Sequence, residues 1–339
     1  MVKEMAKCLG VTRVGIATRK TLAGGPPSTD LTYVLDEAES AVCFALPLNP
    51  DYIEPYLRKE DHGSHYTDNI RTNTLASGIG LEMANFLKQK GFPSVPLAAN
   101  LEYRTETPNG ILDEMPPIAM RYLAVRSGVG HFGRSGNVID TVHGAAIILG
   151  AVVTAAKLDS TPPLPEEDNY CDGCRLCDKA CASGFMSPDE TTTVTMGGVS
   201  FSYARRRSHH RCDYVCGGFA GLHPSGRWST WSPARFPIPE KDEDFLPAII
   251  TALKPFLNRP EASERFFSIL VPGHKLELTC GNCQLVCHPD KDLRKRRYRM
   301  LADSGVVIQF PDGSRRAVTP EEAEAHLAAM DEKTRALYQ

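Results

Sequence analysis

Cys171-Asp-Gly-Cys174-Arg-Leu-Cys177-Asp-Lys-Ala-Cys181 is the stretch from which the rest of the chain can be read. Its C-x2-C-x2-C-x3-C spacing wraps three thiolates around three corners of a cubane [4Fe–4S] cluster, and the fourth cysteine leaves on a helix toward a different cluster. A second set is therefore required, and Cys280-Gly-Asn-Cys283-Gln-Leu-Val-Cys287 supplies it. The pairing reads crosswise. One cluster takes Cys171, Cys174, Cys177 and Cys287; the other takes Cys280, Cys283 and Cys181 and needs one more ligand. Between the two halves only Cys212 and Cys216 are available. Structural zinc also uses C-x2-C pairs, but it seldom needs a third cysteine at the same interval. A disulfide framework would spread its cysteines as staples; these are bunched as ligands.

Composition narrows the classes. The chain has 339 residues, 42% hydrophobic and 23% charged, with a formal net charge of −3. That is ordinary for a globular protein and gives no global basic field to gather nucleic acid. No apolar run approaches the ~20 residues of a membrane span. Residues 1–20 lack an apolar signal core and a twin-arginine pair, so the expected location is the cytoplasm, whose reducing character suits low-potential clusters. Cys8 and Cys43 stand apart from the ligand set and read as buried small hydrophobes.

In chain order, residues 1–20 predict a helix followed by a strand over 11–17. Ala41–Leu46, closed by Pro47, predicts a buried strand. Residues 52–66, with His62 and His65, read as a solvated loop. Leu75, Ile79, Met83, Phe86 and Leu87 recur at helical spacing over 71–90, and Gly91 caps that helix. A strand is expected over 95–99 and a helix over 117–126. The latter runs into Gly128-Val-Gly130-His131-Phe132-Gly133. This is formally G-x-G-x-x-G, but a helix precedes it where the dinucleotide fingerprint needs a strand. So bare a backbone suits a sharp turn or close contact with a large flat ligand. Residues 137–140 and 145–155 predict two strands paired around His143-Gly144, and 159–169, rich in proline and acid, predicts a linker. Beyond the first cysteine run, Arg205–Arg211 and Lys291–Arg299 are basic runs, read as solvated faces. Trp228 and Trp231 either cover a cofactor or pack as a loop on the core. Helices are expected over 244–257 and 262–270. A hairpin over 306–316 and a helix from Pro320, with Thr319 and Glu322 as a capping box, close the chain.

These features together resemble the epoxyqueuosine reductases and the related reductive dehalogenases. The resemblance rests on an α/β segment, the Gly128-Val-Gly130…Gly133 turn, paired strands and the double cysteine set. It implies an α+β fold: a nitroreductase-like cobalamin-binding domain over 1–158, a linker over 159–169, a bacterial-type two-[4Fe–4S] ferredoxin-like domain over 170–300 with an insert at about 190–245, and a C-terminal hairpin and helix over 301–339. It implies Cys212 as the eighth ligand. Aligning Pro117, Arg121, Leu123 and Ala124 with the family's helix puts Glu114 at the catalytic acid position, with Asp113 one residue off register; a helix N-cap role is the plainer reading of that pair. Gly128, Gly130, His131, Gly133 and Arg134, with Tyr103, are the expected cofactor-binding residues. The chain departs from the family at Gly130-His-Phe-Gly-Arg134, where a Gly-Trp-x-Gly-Lys is usual, and at Cys181-Ala182 and Cys287-His288, where Cys-Pro is usual. It also lacks the C-terminal helical repeats of the tRNA-modifying enzymes.

The expected activity is a cobalamin-dependent iron–sulfur reductase. Electrons from ferredoxin or flavodoxin would pass through two clusters to a base-off corrinoid, and Glu114 would protonate a small-molecule or nucleoside-like substrate. A tRNA substrate is disfavoured by the negative charge and the missing repeats. The alternative is a two-cluster electron carrier or reductive activator of a separate corrinoid enzyme, which needs the eight cysteines but no acid at 114. A third reading places flavin where the corrinoid would be.

Overall fold

A computed structural model describes residues 1–98, 102–261, 266–267, 275–276 and 278–339, the two short pairs by backbone alone. The described residues divide into two compact units that interleave along the chain. The first comprises Met1–Leu48, Asp68–Cys174 and Glu190–Ala204; the second comprises Asn49–Thr67, Arg175–Asp189 and Arg205–Gln339. The fold is mixed α/β.

The first unit is built on a four-stranded antiparallel sheet. Strands β1 (Arg13–Thr18), β2 (Ser40–Pro47), β3 (Ser94–Leu97) and β4 (Ile147–Thr154) lie in the order β1-β2-β4-β3. Strand β2 is buried on both faces, and period-two alternation sorts its residues by size. Ala41, Cys43 and Ala45 point into one core with Leu123, Ala124, Ala151 and Val153. Val42, Phe44 and Leu46 point into the other with Ile79, Met83 and Leu87. On the small-residue side helix α2 (Met120–Arg126) comes close to the sheet. A Cβ on Gly15 would meet the Ser127 carbonyl oxygen, so glycine there is a condition of that approach. On the large-residue side, α1 (Gly63–Gln89) supplies the apolar stripe. Each fully buried large side chain contributes about 1.5–3 kcal/mol.

Several expectations hold. The N-terminal helix is Val2–Cys8, Gly91 ends α1 at φ +87°, and the 41–46 strand is β2. Two do not. Residues 52–66 are a helix at Ile53–Leu57 and the start of α1, with His62 and His65 buried. Those histidines pack by ring contact, His65 at 4.5 Å and His62 at 5.8 Å from the Tyr56 ring. The strands expected over 137–140 and 145–155 meet around His143-Gly144 only at an antiparallel bridge between Asp140 and Gly144, not along a hairpin ladder. Val138–Ile139 joins His131–Phe132 in a two-residue ladder, and β4 goes into the sheet between β2 and β3. The 95–99 strand is found at 94–97; Ala99 lies outside the described residues.

The insert opens with a hairpin of β5 (Met186–Met196) and β6 (Val199–Arg206). Its turn is Gly197-Gly198, both at positive φ, as the mirror-image two-residue turn requires. Within the first unit Arg126 holds this turn, its Nε donating to the carbonyls of Thr21 at 2.9 Å and Met196 at 3.1 Å.

The second unit has a core of Tyr214, Val215, Phe219, Phe245, Ala252, Phe256 and Cys280 between α3 (His210–Cys216) and α4 (Phe245–Asn258). Arg211, from the first basic run, is buried against Asp242 in an ion pair. The second basic run forms α5 (Lys291–Ala302), with Arg294 and Arg297 buried. The helix expected over 262–270 lies almost wholly outside the described residues, and Phe266–Phe267 within it is extended and pairs with Lys275–Leu276. The closing hairpin, β7 (Val306–Gln309) with β8 (Arg315–Val318), and helix α6 (Pro320–Ala328) with its Thr319–Glu322 capping box match the reading of the sequence. Among the described residues no helix is long and apolar enough to cross a membrane.

Candidate functional site

The second unit gathers five thiols. Cys181 follows the short helix Leu176–Lys179, Cys212 and Cys216 sit one turn apart on α3, and Cys280 and Cys283 bracket the start of the helix Asn282–Leu285. Cys212 Sγ and Cys216 Sγ are 3.5 Å apart. The Cys216 thiol donates to Cys280, whose pKa falls to about 7 chiefly for that reason; burial opposes the shift, and the Asn282 and Gly281 N–H groups assist it. Gly281 makes those donors available by taking φ +97°, which lets the chain turn directly into a helix N-terminus. The partner effect pushes Cys216 well above the ordinary thiol value, first through its contacts with Cys212 and Cys280 and then through burial. Burial, then repulsion from Cys181, Cys212, Cys280 and Cys177, pushes Cys283 well up. Burial leads the upward shift of Cys181, opposed by Ser183 and by the Phe185 N–H, which donates to its sulfur at 3.4 Å.

This donor set fits an iron–sulfur cluster. Buried thiolates that repel one another need a cationic core among them, and soft sulfur ligands select such a core. Among the described residues no three or more His, Cys, Asp or Glu side chains are gathered to hold a metal ion. In a cubane each thiolate binds its own iron corner, so its ligands stand apart. A second observation supports the fit. The Lys59 ammonium is buried without a hydrogen-bond partner and feels the Cys280 thiolate, so the site carries a positive charge that lacks a full counter-anion.

Of the other expected ligands, Cys171 and Cys174 belong to the first unit and Cys177 and Cys287 to the second. The loop turns sharply through Gly173 at φ +73° and Arg175 at φ +58°. Cys171 Sγ accepts a hydrogen bond from the Arg134 N–H at 3.2 Å, which places Arg134 by its backbone at the sulfur of an expected ligand.

The expected acids lie in the first unit. Asp113 ends the turn Gly110–Asp113, and its carboxylate accepts from the Asn109 N–H at 3.0 Å and side-chain amide at 2.8 Å. Glu114 follows at φ +48°, left-handed for a residue with a Cβ. Arg104 braces this loop. Its N–H donates to the Met115 carbonyl at 2.8 Å, and its guanidinium donates to the carbonyls of Pro117 and Pro27 and stacks 3.7 Å from the Tyr33 ring. Tyr103 adjoins Arg104 and is half-buried.

The glycine turn is accounted for by chain packing. Gly128 has φ +72°, and a Cβ there would meet the Pro162 carbonyl; a Cβ on Gly130 would meet the Ile139 carbonyl and Val138, and on Gly133 the Ile139 side chain. Of the two roles its bareness allowed, the sharp turn and close chain approach are observed. His131 is buried, its Nε2 has no hydrogen-bond partner, and burial lowers its pKa.

Next to it stands a group whose arginine the sequence reading used only to align a helix. Arg121 lies 4.7 Å from the Tyr122 ring, 5.7 Å from Phe132 and 4.9 Å from Tyr203. Its Nη2 donates to both tyrosine hydroxyls, which are 2.9 Å from each other, while Nη1 is buried without a partner. Tyr203 arrives on β6, and the signal for that hairpin was the Gly197-Gly198 pair between Thr- and Tyr-containing runs. The orphaned Arg121 Nη1 and His131 Nε2 are polar atoms of the kind that a ligand rich in amide or phosphate oxygens satisfies, so these residues fit a corrinoid. Trp231, by contrast, is a packed residue, donating from Nε1 to the Tyr56 carbonyl at 3.1 Å. Cys43 is buried as expected, whereas Cys8 is exposed at the end of its short helix.

No family model matches the chain. The chain is similar to curated epoxyqueuosine reductases. One from Gloeobacter violaceus (strain ATCC 29082 / PCC 7421) is 25% identical over 208 residues, 55% of this chain and 60% of that protein. Another, from Atelocyanobacterium thalassa (isolate ALOHA), is 40% identical over 65 residues, 19% of this chain and 20% of that protein. The chain thus spans less than two thirds of the length of these relatives. Among solved structures, the catabolic reductive dehalogenase NpRdhA aligns with TM-score 0.48 at 15% identity, over 63% of this chain and 28% of its own. Epoxyqueuosine reductase from Bacillus subtilis aligns with TM-score 0.37 at 19% identity, over 54% of this chain and 51% of its own.

Proposed function

We propose that this chain is a corrinoid-dependent iron–sulfur reductase acting on a small-molecule or nucleoside-like substrate, with ferredoxin or flavodoxin as electron donor. The observation that carries this reading is the gathering of Cys181, Cys212, Cys216, Cys280 and Cys283 in one buried site of the second unit. The similarity to epoxyqueuosine reductases supports the reductase class. Cys171, Cys174, Cys177 and Cys287 would hold one cluster, and Cys181, Cys212, Cys280 and Cys283 the other. When bound, the clusters carry single electrons and the corrinoid supplies the strongly reducing centre.

The protein's own residues do the rest. Cysteine ligands in the second site are kept from water by burial of Cys280 and its neighbours in an apolar core. Arg121 and His131 would hold the corrinoid's polar periphery, on a turn that Gly128 and Gly130 make narrow. Glu114 would carry the proton for the substrate, with Asp113 closing the loop beneath it and Tyr103 beside it. The slightly negative net charge supplies no global basic field for tRNA.

Anaerobic purification with added cobalamin, followed by metal analysis and an absorption spectrum, tests this. About eight irons and one cobalt per chain are expected from two cubanes and one corrinoid. Eight irons without cobalt would replace the proposal with the electron carrier, or with a flavoprotein if flavin bands were present; no iron would end it.

A further inference from the structure

Lys59 occupies an unusual place. Its backbone has φ +61°, a conformation that costs a residue with a Cβ about 1–2 kcal/mol. It is 8% exposed, and its Nζ is buried without a hydrogen-bond partner, 5.7 Å from the centre of the Trp231 ring. Burying a lysine alone is costly, and burial lowers the pKa of this one to about 7, with only the Cys280 thiolate acting the other way. Two unfavourable features at one residue persist only where the surroundings impose them.

The surroundings tie this residue to Cys280. The Lys59 N–H donates to the Tyr56 carbonyl at 3.2 Å. Tyr56 donates from its hydroxyl to the Cys280 carbonyl at 2.7 Å. Trp231 donates from Nε1 to that same Tyr56 carbonyl and from its N–H to the carbonyl of Thr279 at 2.8 Å. Thr279 in turn donates from its N–H to the Cys216 carbonyl at 3.0 Å. One buried network therefore fixes the backbone of Lys59, the Trp231 ring and the cysteine backbone together, all inside the second unit.

We propose that Lys59 sets the reduction potential of the cluster held by Cys280, its buried ammonium favouring the reduced state. This rests on the assignment of a cluster to Cys280. A cluster and its four thiolates are anionic and become more so on reduction, so a nearby buried cation raises the potential; net charge is one of the main determinants of such potentials. Buried Arg297 stands in the same relation to Cys287 of the other expected cluster, so the effect of Lys59 is confined to the cluster at Cys280. Lys59 is a positioning residue for charge and touches no substrate.

The test is a redox titration of the anaerobically reconstituted protein, followed by electron paramagnetic resonance, for wild type, Lys59→Met and Lys59→Arg. Lys59→Met should retain about eight irons while one cluster's reduction equilibrium falls about tenfold, which is a shift of about 59 mV for one electron. The other cluster should not move, and Lys59→Arg, which keeps the charge, should restore the wild-type value. Unchanged potentials in a fully loaded Lys59→Met, or equal shifts in the Met and Arg variants, would overturn the proposal. If Lys59→Met loses iron, Lys59→Gln and Lys59→Arg decide the matter by the same comparison. Wild-type protein without iron would refute the cluster assignment itself, which is a different failure.

Discussion

Glu114→Gln should abolish turnover, by about 10²–10⁴-fold for loss of a general acid, while leaving iron and corrinoid content at wild-type levels. Three features of the loop support this expectation. Glu114 sits at φ +48°, where a side chain is disfavoured, so the position is held against a local cost. Arg104 supplies the holding force through Met115, Pro117 and Pro27, each a carbonyl close in sequence or space to the acid. Asp113, the neighbouring carboxylate, is already engaged with Asn109 and closes the turn. A division of labour follows, with Asp113 shaping the loop and Glu114 presenting the proton. A companion variant separates function from stability. Glu114→Gly suits the left-handed backbone and should raise the unfolding free energy by about 1 kcal/mol, yet be as inactive as Glu114→Gln. Full activity in Glu114→Gln would remove this residue from the chemistry, and a destabilised Glu114→Gly would show that the side chain is there to hold the loop.

The second large effect concerns Cys212 and Cys216. Cys212→Ala should cut iron from about eight to about four per chain, since a cubane needs all four ligands, while Cys216→Ala should keep the full complement. The resemblance pointed to Cys212, and geometry now gives a reason. Cys280 belongs to the C-x2-C pair and must be a ligand. Cys216 is in hydrogen-bonding contact with both Cys280 and Cys212, which is too close for separate corners of one cubane. Cys181 and Cys283 each feel both Cys212 and Cys280. Cys216 is then the donor of a hydrogen bond to a ligand sulfur. Iron lost in the Cys216 variant and kept in the Cys212 variant would reverse the assignment.

The proposed ligand set was drawn from the sequence because cluster chemistry depends on spacing along the chain, and Cys171 to Cys181 state that spacing outright. Strand β2 was legible for a similar reason: six successive apolar residues, Ala41–Leu46, need burial on both faces whatever surrounds them. The capping box at Thr319 is a local contact and could be read locally. The misreadings share a cause. His62 and His65 look solvated by polarity, but aromatic neighbours bury them, and an imidazole's flat face is not visible in a hydropathy pattern. The 145–155 segment was extended as expected, yet its partners β2 and β3 lie far off in sequence, while Val138–Ile139 pairs with the nearby His131–Phe132; period-two patterning does not name a partner. Lys59 escaped notice, and Arg121 served only to align a helix, because a single basic residue is ordinarily solvated. Only the fold reveals that one lies beside a thiolate and the other within a ring of aromatics.

Cys8 was expected inside and is found outside, on a helix remote from the ligand set in sequence. If the eight proposed ligands hold their clusters, with Cys43 buried and Cys216 only partly exposed, Cys8 would be the thiol that a bulky reagent reaches first. A single addressable thiol is an attachment point. Through Cys8 the protein can be tethered in one orientation to an electrode or given a single fluorescent reporter, without disturbing any sulfur that carries electrons.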